Sequence, residues 1–199
     1  MKNVLTNTKK GILMVAILAT VMGFANEVSI KNFKKDLKAT ALTIEDVKEG
    51  NLLSIKDDHG ITLYKEMIKQ SGIYTKGFDL TELPDGSYFF ELDKEIEIKT
   101  IPFTVKSNKV TFNKEKETTI YKPFVREENG LIYISQLALD LEPLKISVHA
   151  LYYDSSSEIV YKETIKGIQN IERVFKLETG SYKIVFNFNN KELTKYINN

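Results

Sequence analysis

Residues 63–92 have the sequence LYKEMIKQSGIYTKGFDLTELPDGSYFFEL, and this stretch decides the fold. Pieces of it return in the same order in residues 160–186, VYKETIKGIQNIERVFKLETGSYKIVF. Both stretches contain short apolar runs separated by glycine-containing turns, and their strand-like runs alternate apolar and polar residues, as strands with one buried face do. The sequence therefore predicts an all-β protein built from two similar halves.

Three short matches carry the repeat. In chain order they pair residues 64–68 with 161–165, 78–80 with 175–177, and 86–88 with 180–182. The first two share an offset of 97 residues (64 to 161, 78 to 175), and the third has an offset of 94 (86 to 180). Three matches in order favour duplication of one domain. The alternative is that both halves use common β-turn chemistry independently.

A glycine stands two residues before a tyrosine in both copies of Gly-Ser-Tyr. The glycine is expected to allow a sharp, left-handed backbone, and the tyrosine hydroxyl to reach back to the backbone of the incoming turn. That arrangement is the tyrosine corner of immunoglobulin-like (Ig-like) sandwiches. We therefore predict two tandem Ig-like β-sandwich domains, with Gly86, Tyr88, Gly180 and Tyr182 as structural corner residues.

The first 25 residues have the pattern of a secretory signal peptide. Lys2, Lys9 and Lys10 precede an apolar run at residues 11–25, which ends in the small-residue pattern Gly-Phe-Ala. As a helix this run spans about 22 Å, short of a bilayer core of about 30 Å. Cleavage is therefore expected. The alternative is retention as an anchor, and an uncleaved signal peptide is the only membrane association that we expect.

The predicted domains are a signal peptide at 1–25, a first sandwich at 26–106 and a second at 107–199. The boundary is placed at the short polar run KSNK, residues 106–109. A shift in the apolar alternation between Ile98 and Ile101 predicts a β-bulge around residues 99–102. A sandwich with an unpaired edge strand can bind an extended peptide by strand addition. The alternative is that the charged residues 113–119 protect that edge strand.

Composition excludes several classes of function. After residue 25 the chain has 25 basic and 27 acidic residues, a near-neutral balance that gives no basic stripe for nucleic acid. The sequence contains no cysteine, which excludes disulfides, thiol catalysis and a lipid-modified cysteine. We expect no nucleic-acid partner.

Residues that could carry chemistry have simpler interpretations. His59 and His149 lack partners at metal-ligand spacing. Asp57 and Asp58, with Asp85 or Asp154, do not form a calcium-loop pattern. Further candidates are a serine turn (155–157), two glutamate pairs (95 with 97, 127 with 128) and a tyrosine pair (152–153). None has the surroundings that catalysis or sugar binding requires. We therefore expect no enzyme activity and no catalytic, cofactor-binding or metal-binding residues.

Residues 51–105 resemble the C-terminal sorting domain of cargo proteins of the Bacteroidetes type IX secretion system, an Ig-like module. The matching residues are Ile55, Gly60, Leu63-Tyr64, the FDL of 78–80 and the LPDGSYFF of 83–90. The resemblance implies the sandwich fold and an exported, bacterial origin. It also implies a possible role in secretion.

The function expected from the sequence is non-catalytic binding or scaffolding by an exported protein of the periplasm, cell surface or extracellular space. Its partner is expected to be another protein or a cell-surface component. One alternative is a surface tether, with the C-terminal half acting as a divergent sorting domain. A second alternative is a hydrolase with an unrecognised site.

Overall fold

The computed structural model describes residues 28–32 and 40–199, with side chains from residue 41 onwards. The predicted signal peptide lies outside the described residues. The described residues form strands joined by turns, with two three-residue 3-10 helices at Leu80–Glu82 and Lys114–Lys116. The strands are β1 (Val28–Asn32), β2 (Thr40–Val47), β3 (Leu52–Asp57), β4 (Thr62–Met67), β5 (Gly72–Phe78), β6 (Gly86–Asp93), β7 (Glu97–Lys106), β8 (Lys109–Phe112), β9 (Thr118–Tyr121), β10 (Phe124–Glu128), β11 (Leu131–Leu137), β12 (Leu144–Leu151), β13 (Ser157–Ile165), β14 (Asn170–Phe175), β15 (Ser181–Phe188) and β16 (Lys191–Asn198).

The strands pair into two sandwiches with the same topology. In the first, a three-stranded sheet of order β1-β2-β5 faces a sheet that contains β4-β3-β6-β7. In the second, β10-β11-β14 faces β13-β12-β15-β16. Each strand from β1 to β7 has its counterpart from β10 to β16, in the same spatial order. The all-β fold of two tandem sandwiches is therefore confirmed, and the repeat extends over seven strands.

Each sandwich has its own core, built from the inward-facing residues of both sheets. The first core is aromatic: the ring of Phe90 lies 5.2 Å from that of Phe78 and 5.3 Å from that of Phe103. The second core is mostly aliphatic, with Ile146, Val148 and Ile184 fully buried around Phe186. Each half therefore buries its own apolar face, and Ile120, on a strand that pairs with the first sandwich, packs against the second core.

The segment at the predicted domain boundary is a tight hairpin. Lys106 pairs with Lys109 across a two-residue turn in which Ser107 and Asn108 have φ of 50° and 58°. Two consecutive residues with positive φ are typical of a type I′ hairpin turn. The polar run KSNK therefore joins β7 to β8, and β8 returns along β7 instead of leaving the first sandwich.

Strand pairing within the first sandwich continues to Tyr121, past the predicted boundary between residues 106 and 107. Both β8 and β9 pair with β7, and the 3-10 helix Lys114–Lys116 lies between them. The charged segment thus covers the edge of β7, as one of the two sequence-based alternatives proposed. The exact domain limits stay a prediction.

The predicted bulge at residues 99–102 is wrong. The pairing of β6 with β7 runs without a shift from Gly86 opposite Val105 to Asp93 opposite Ile98. Ile101 points into the first core, whereas Ile98 lies outside it, opposite Ile120 of β9. Both residues are buried because both faces of β7 are covered. Alternation of apolar and polar residues predicts burial of one strand face only.

Register shifts occur instead on the edge strands β4 and β13, and between Ile44 and Val47 of β2. The shifts on β4 and β13 leave Leu63 and Val160 as the extra residues, and these two positions are 97 residues apart, as in the repeat. A bulge twists an edge strand and discourages pairing with another chain. The duplicated bulges therefore protect the exposed edge of each four-stranded sheet.

Candidate binding groove

The first of the two predicted corners contains the expected hydrogen bond. The hydroxyl of Tyr88 donates to the carbonyl oxygen of Pro84 at 2.8 Å. A Cβ atom on Gly86 would lie 3.3 Å from the Tyr88 hydroxyl, and one on Gly180 would lie 3.5 Å from the Tyr182 ring. Neither glycine has a positive φ, so the expected left-handed backbone is wrong. Each glycine instead makes room for a tyrosine ring.

Tyr88→Phe is expected to lower the free energy of unfolding by about 0.5–1.5 kcal/mol, the usual net contribution of one hydrogen bond. Tyr182→Phe is the matched control, because the Tyr182 hydroxyl makes no hydrogen bond to any described residue. Urea unfolding followed by circular dichroism measures both variants. Equal losses in the two variants would show that the hydrogen bond to Pro84 contributes nothing.

Tyr64 and Glu66 of the repeated Tyr-Lys-Glu sequence form a cluster between the two sheets of the first sandwich. Glu66 of β4 accepts hydrogen bonds from Tyr64 and from the ammonium group of Lys76 on β5. The Tyr64 ring packs edge-on against Phe78, with the ring centroids 5.4 Å apart. Because β4 and β5 are edge strands of different sheets, this cluster connects the two sheets along one edge of the sandwich.

The second sandwich contains the same cluster with arginine in place of lysine. Glu163 accepts from Arg173 Nε at 2.8 Å, from Arg173 Nη2 at 2.6 Å and from the Tyr161 hydroxyl at 2.8 Å. The rings of Tyr161 and Phe175 are 4.9 Å apart. Every member lies 97 residues after its counterpart. The recurrence of the tyrosine and the glutamate in Tyr-Lys-Glu is therefore explained by sheet-to-sheet contacts that both sandwiches make.

A buried glutamate joins the two sandwiches. Glu91 lies on the outer face of the first four-stranded sheet, where Oε1 accepts from Lys56 Nζ and Oε2 accepts from Lys191 Nζ of β16, both at 2.7 Å. Burial alone raises its pKa, but the hydrogen bonds from Lys191 and Lys56 outweigh burial, so the pKa is lowered. A charge buried in this way is stabilised only while its partners stay in place.

Acid is expected to weaken the fold through three carboxylates. Hydrogen bonds from Lys76 and Arg173 lower the pKa of Glu66 and Glu163, and that of Glu91 is lowered as well. Their stabilisation is complete above the ordinary value of 4.5 and is lost as the pH falls through the lowered folded-state pKa values. Urea midpoints measured from pH 7 to pH 3 should fall mainly below pH 4.5. A flat profile over that interval would contradict the assignment.

The acidic turn before β4 is held by hydrogen bonds between a carboxylate and the backbone of the turn. The carboxylate of Asp57 accepts from the backbone N–H groups of His59 at 3.0 Å and Ile61 at 2.8 Å. The Asp58 carboxylate lies 2.7 Å from His59 Nδ1. The ligand atoms of these three residues lie within 4.8 Å of one another, and half-buried Asp57 accepts the hydrogen bonds of the turn.

The other sequence candidates lie apart from that cluster. Asp85 accepts from the backbone N–H of Ser107 at 2.8 Å, and Asp154 accepts from Ser156 within its own turn. His149 shares a hydrogen bond with the Ser147 hydroxyl at 3.2 Å. The structure therefore does not assemble the calcium set that was considered from the sequence.

A groove lies where the two sandwiches meet. It has a volume of about 570 Å³ and is lined by Ile96 and the end of β9 from one side and by β10, β11 and β14 from the other. Ile96 and Phe124 are each half exposed on its rim, at 53% and 50%. Large apolar side chains exposed together in a concave surface are typical of binding sites.

One buried polar side chain lines this groove. Gln136 is 7% exposed, and its Nε2 donates to the carbonyl oxygen of Tyr121 at 2.9 Å. Its Oε1 is buried without a hydrogen-bond partner among the described residues. Sequence reasoning missed this residue. The available signal was the alternation Ile132, Ile134, Gln136, which places a polar residue at an inward-facing position.

Strand order and separate cores define the chain as a tandem pair of Ig-like β-sandwich domains. No family model and no curated protein matches the chain. Among solved structures, the "Biofilm associated protein - BSP domain" matches 81% of this chain with 10% identity and a TM-score of 0.25. The matched region spans about a quarter (27%) of that protein. At this TM-score the likeness carries no functional argument. The described residues include no helix that is long and apolar enough to cross a membrane.

Proposed function

We propose that the protein is an exported, non-catalytic binding or scaffolding protein of the bacterial periplasm or cell surface, and that it binds another protein or a cell-surface component. The observation that carries this proposal is the groove between the sandwiches. It leaves Ile96 and Phe124 half exposed at a junction that ion pairs hold together. Apolar side chains exposed together in a concave surface are typical of sites that a partner covers.

The charges of the described residues favour binding over hydrolysis. The carboxylates with shifted pKa values, Glu66, Glu91, Asp154 and Glu163, are all shifted downward. Each accepts hydrogen bonds from neighbouring lysine, arginine, serine or tyrosine residues. A general acid that works near neutral pH needs a raised pKa. These groups therefore support a structural role in place of proton transfer.

The connection between the sandwiches supports a scaffolding role. β9 pairs with β7 of the first sandwich, and the backbone N–H of Lys122 donates to the Ile96 carbonyl at 2.9 Å immediately before β10 begins. The ammonium group of Lys122 also bonds the Lys94 carbonyl at 2.6 Å. With the Glu91–Lys191 contact, these bonds restrain the two sandwiches to one arrangement.

Fractionation of the native bacterium and photo-crosslinking test this proposal together. The full-length protein should leave the cytoplasm, and a photo-reactive residue in place of Phe124 should crosslink one discrete partner. The same residue at the exposed position Tyr196, outside the groove lining, is the control and should not capture that partner. A cytoplasmic protein, or identical capture from both positions, would contradict the proposal.

A second candidate function is the surface tether implied by the resemblance to sorting domains. In its favour, Phe78, Leu80, Tyr88 and Phe90 of the matching stretch all lie in the first core. The tether requires the C-terminal half for surface exposure. Deleting residues 122–199 keeps the strands that pair with β7, and protease treatment of intact cells then reports exposure. Unchanged exposure of the shortened chain would exclude the tether.

A further inference from the structure

Among the described residues, three hairpins turn through two consecutive residues that both have positive φ. In chain order, these turns are Ser107 with Asn108 between β7 and β8, Asn129 with Gly130 between β10 and β11, and Asn189 with Asn190 between β15 and β16. Turns of this kind favour asparagine and glycine because both residue types tolerate a positive φ. Backbone geometry therefore explains the asparagine in each turn, and the three turns can be compared for their chemistry.

Asparagine is a thermolabile residue because its side chain can react with its own backbone. The backbone nitrogen of the next residue forms a bond to the side-chain carbon Cγ, and the amide group leaves as ammonia with the proton of that nitrogen. Water then opens the resulting succinimide ring at one of its two carbonyl carbons, which gives aspartate or isoaspartate. A glycine after the asparagine favours the attack, since no side chain shields its nitrogen.

The turn between β10 and β11 leaves both reacting groups free. The side-chain amide of Asn129 and the backbone N–H of Gly130 make no hydrogen bond to any described residue. Both residues are exposed to water, which is the second reactant. Asn129-Gly130 is also the one asparagine–glycine pair in the sequence. Neither burial nor hydrogen bonding therefore opposes the attack at this turn.

The other two turns lack this combination of features. The side-chain Nδ2 of Asn189 donates to a carboxylate oxygen of Asp140 at 2.6 Å, and Asn190 carries a side chain beside its backbone nitrogen. Asn108 is followed by Lys109, which has a long side chain and begins the pairing of β8 with β7. Attack at these two asparagines is therefore hindered by the neighbouring side chain, and at Asn189 by a hydrogen bond as well.

We propose that Asn129 is a site of spontaneous deamidation, and that the turn between β10 and β11 carries aspartate or isoaspartate in aged protein. Isoaspartate adds one carbon atom to the backbone of a turn whose flanking residues, Glu128 and Leu131, pair directly with each other. Both products add a carboxylate next to Glu127 and Glu128, and like charges at this spacing repel. The reaction therefore weakens the hairpin at its turn.

Incubation of the folded protein in mildly alkaline buffer tests this proposal. Trypsin releases residues 127–145, a peptide whose one asparagine is Asn129, and mass spectrometry follows the replacement of its amide by a carboxyl group. Labelling with an isoaspartate methyltransferase identifies the isoaspartate product. The rate at Asn129 should exceed that at Asn189 by about tenfold or more, because attack at Asn189 must first break a charge-assisted hydrogen bond.

Two variants serve as controls for the reaction. Gly130→Asn creates the residue pair that the turn between β15 and β16 already contains, and a Cβ atom at this position meets no neighbour within 4 Å. The variant should fold, as amide spectra will show, and should react about tenfold more slowly at residue 129 than the wild type. Asn129→Asp supplies the aspartate product as a reference for the peptide map.

Three results would overturn the inference: an unchanged rate in folded Gly130→Asn, equal rates at Asn129 and Asn189 in the wild type, or an unreactive folded protein under conditions in which the urea-unfolded chain reacts at Asn129. The last result would mean that the closed turn holds the side chain of Asn129 away from the nitrogen of Gly130.

Discussion

Phe90→Ala is expected to lower the free energy of unfolding of the first sandwich by about 3–5 kcal/mol, the usual cost of emptying a buried phenylalanine site. Phe90 is fully buried and packs within 5.3 Å of two rings, with that of Phe112 at 6.3 Å. Removing its ring leaves a cavity that three flanking rings cannot fill without leaving their own contacts. The free energy of unfolding of a single domain is commonly about 5–15 kcal/mol. Phe90→Ala therefore removes a large share of the stability of the first sandwich.

Urea unfolding followed by tyrosine fluorescence and circular dichroism measures that loss. Phe124→Ala is the matched control: the same atoms are removed from a half-exposed position, and the expected change is within about 0.5 kcal/mol. The second sandwich, whose core is separate, should keep its own transition in Phe90→Ala. Similar losses in the two variants would mean that the aromatic cluster does not stabilise the first core.

Glu91→Gln is expected to lower the free energy of unfolding by about 1–3 kcal/mol, because two charge-assisted hydrogen bonds lose their anionic acceptor. Both donors are largely enclosed: the Lys56 side chain is 21% exposed and that of Lys191 is 28% exposed. The two lysines lie on different sandwiches, so the variant also weakens the connection between them. We expect the unfolding transitions of the two sandwiches to separate more clearly than in the wild type.

The lysines provide a matched pair of controls for this connection. Lys191→Met removes the contact between sandwiches, whereas Lys56→Met removes a contact within the first sandwich. Residual dipolar couplings should report altered relative orientation in Lys191→Met and an unchanged orientation in Lys56→Met. If both variants leave the orientation unchanged, Glu91 contributes to stability and not to the arrangement of the sandwiches.

Much of the fold could be predicted because its information is local. Alternation of apolar and polar residues within the two repeated stretches predicted strands there, among them β6 and β15. The repeated residues were also informative. The tyrosine and glutamate of Tyr-Lys-Glu belong to the sheet-to-sheet cluster, and the tyrosine of Gly-Ser-Tyr packs its ring over the glycine. Each of these features depends on residues that are close in sequence or on a pattern that occurs twice.

The hairpin at residues 106–109 shows where local interpretation fails. A short polar run suits both a linker and a two-residue turn, and the choice depends on whether the next strand finds a partner. β7 offers that partner along its free edge. The binding groove was missed for a related reason, since it unites Ile96, Phe124 and Ile171 from distant parts of the chain.

The sequence by itself determined the strands, the turns between most of them and the duplication, because side-chain periodicity and turn chemistry act over a few residues. Only the tertiary structure decided which strands are buried on both faces. Glu91 and Ile98 point away from the first core and would be solvent-exposed in an isolated sandwich. Both are buried all the same, and Lys191 of the second sandwich bonds to Glu91 from 100 residues further along the chain. Contacts of that range leave no periodic signal in the sequence.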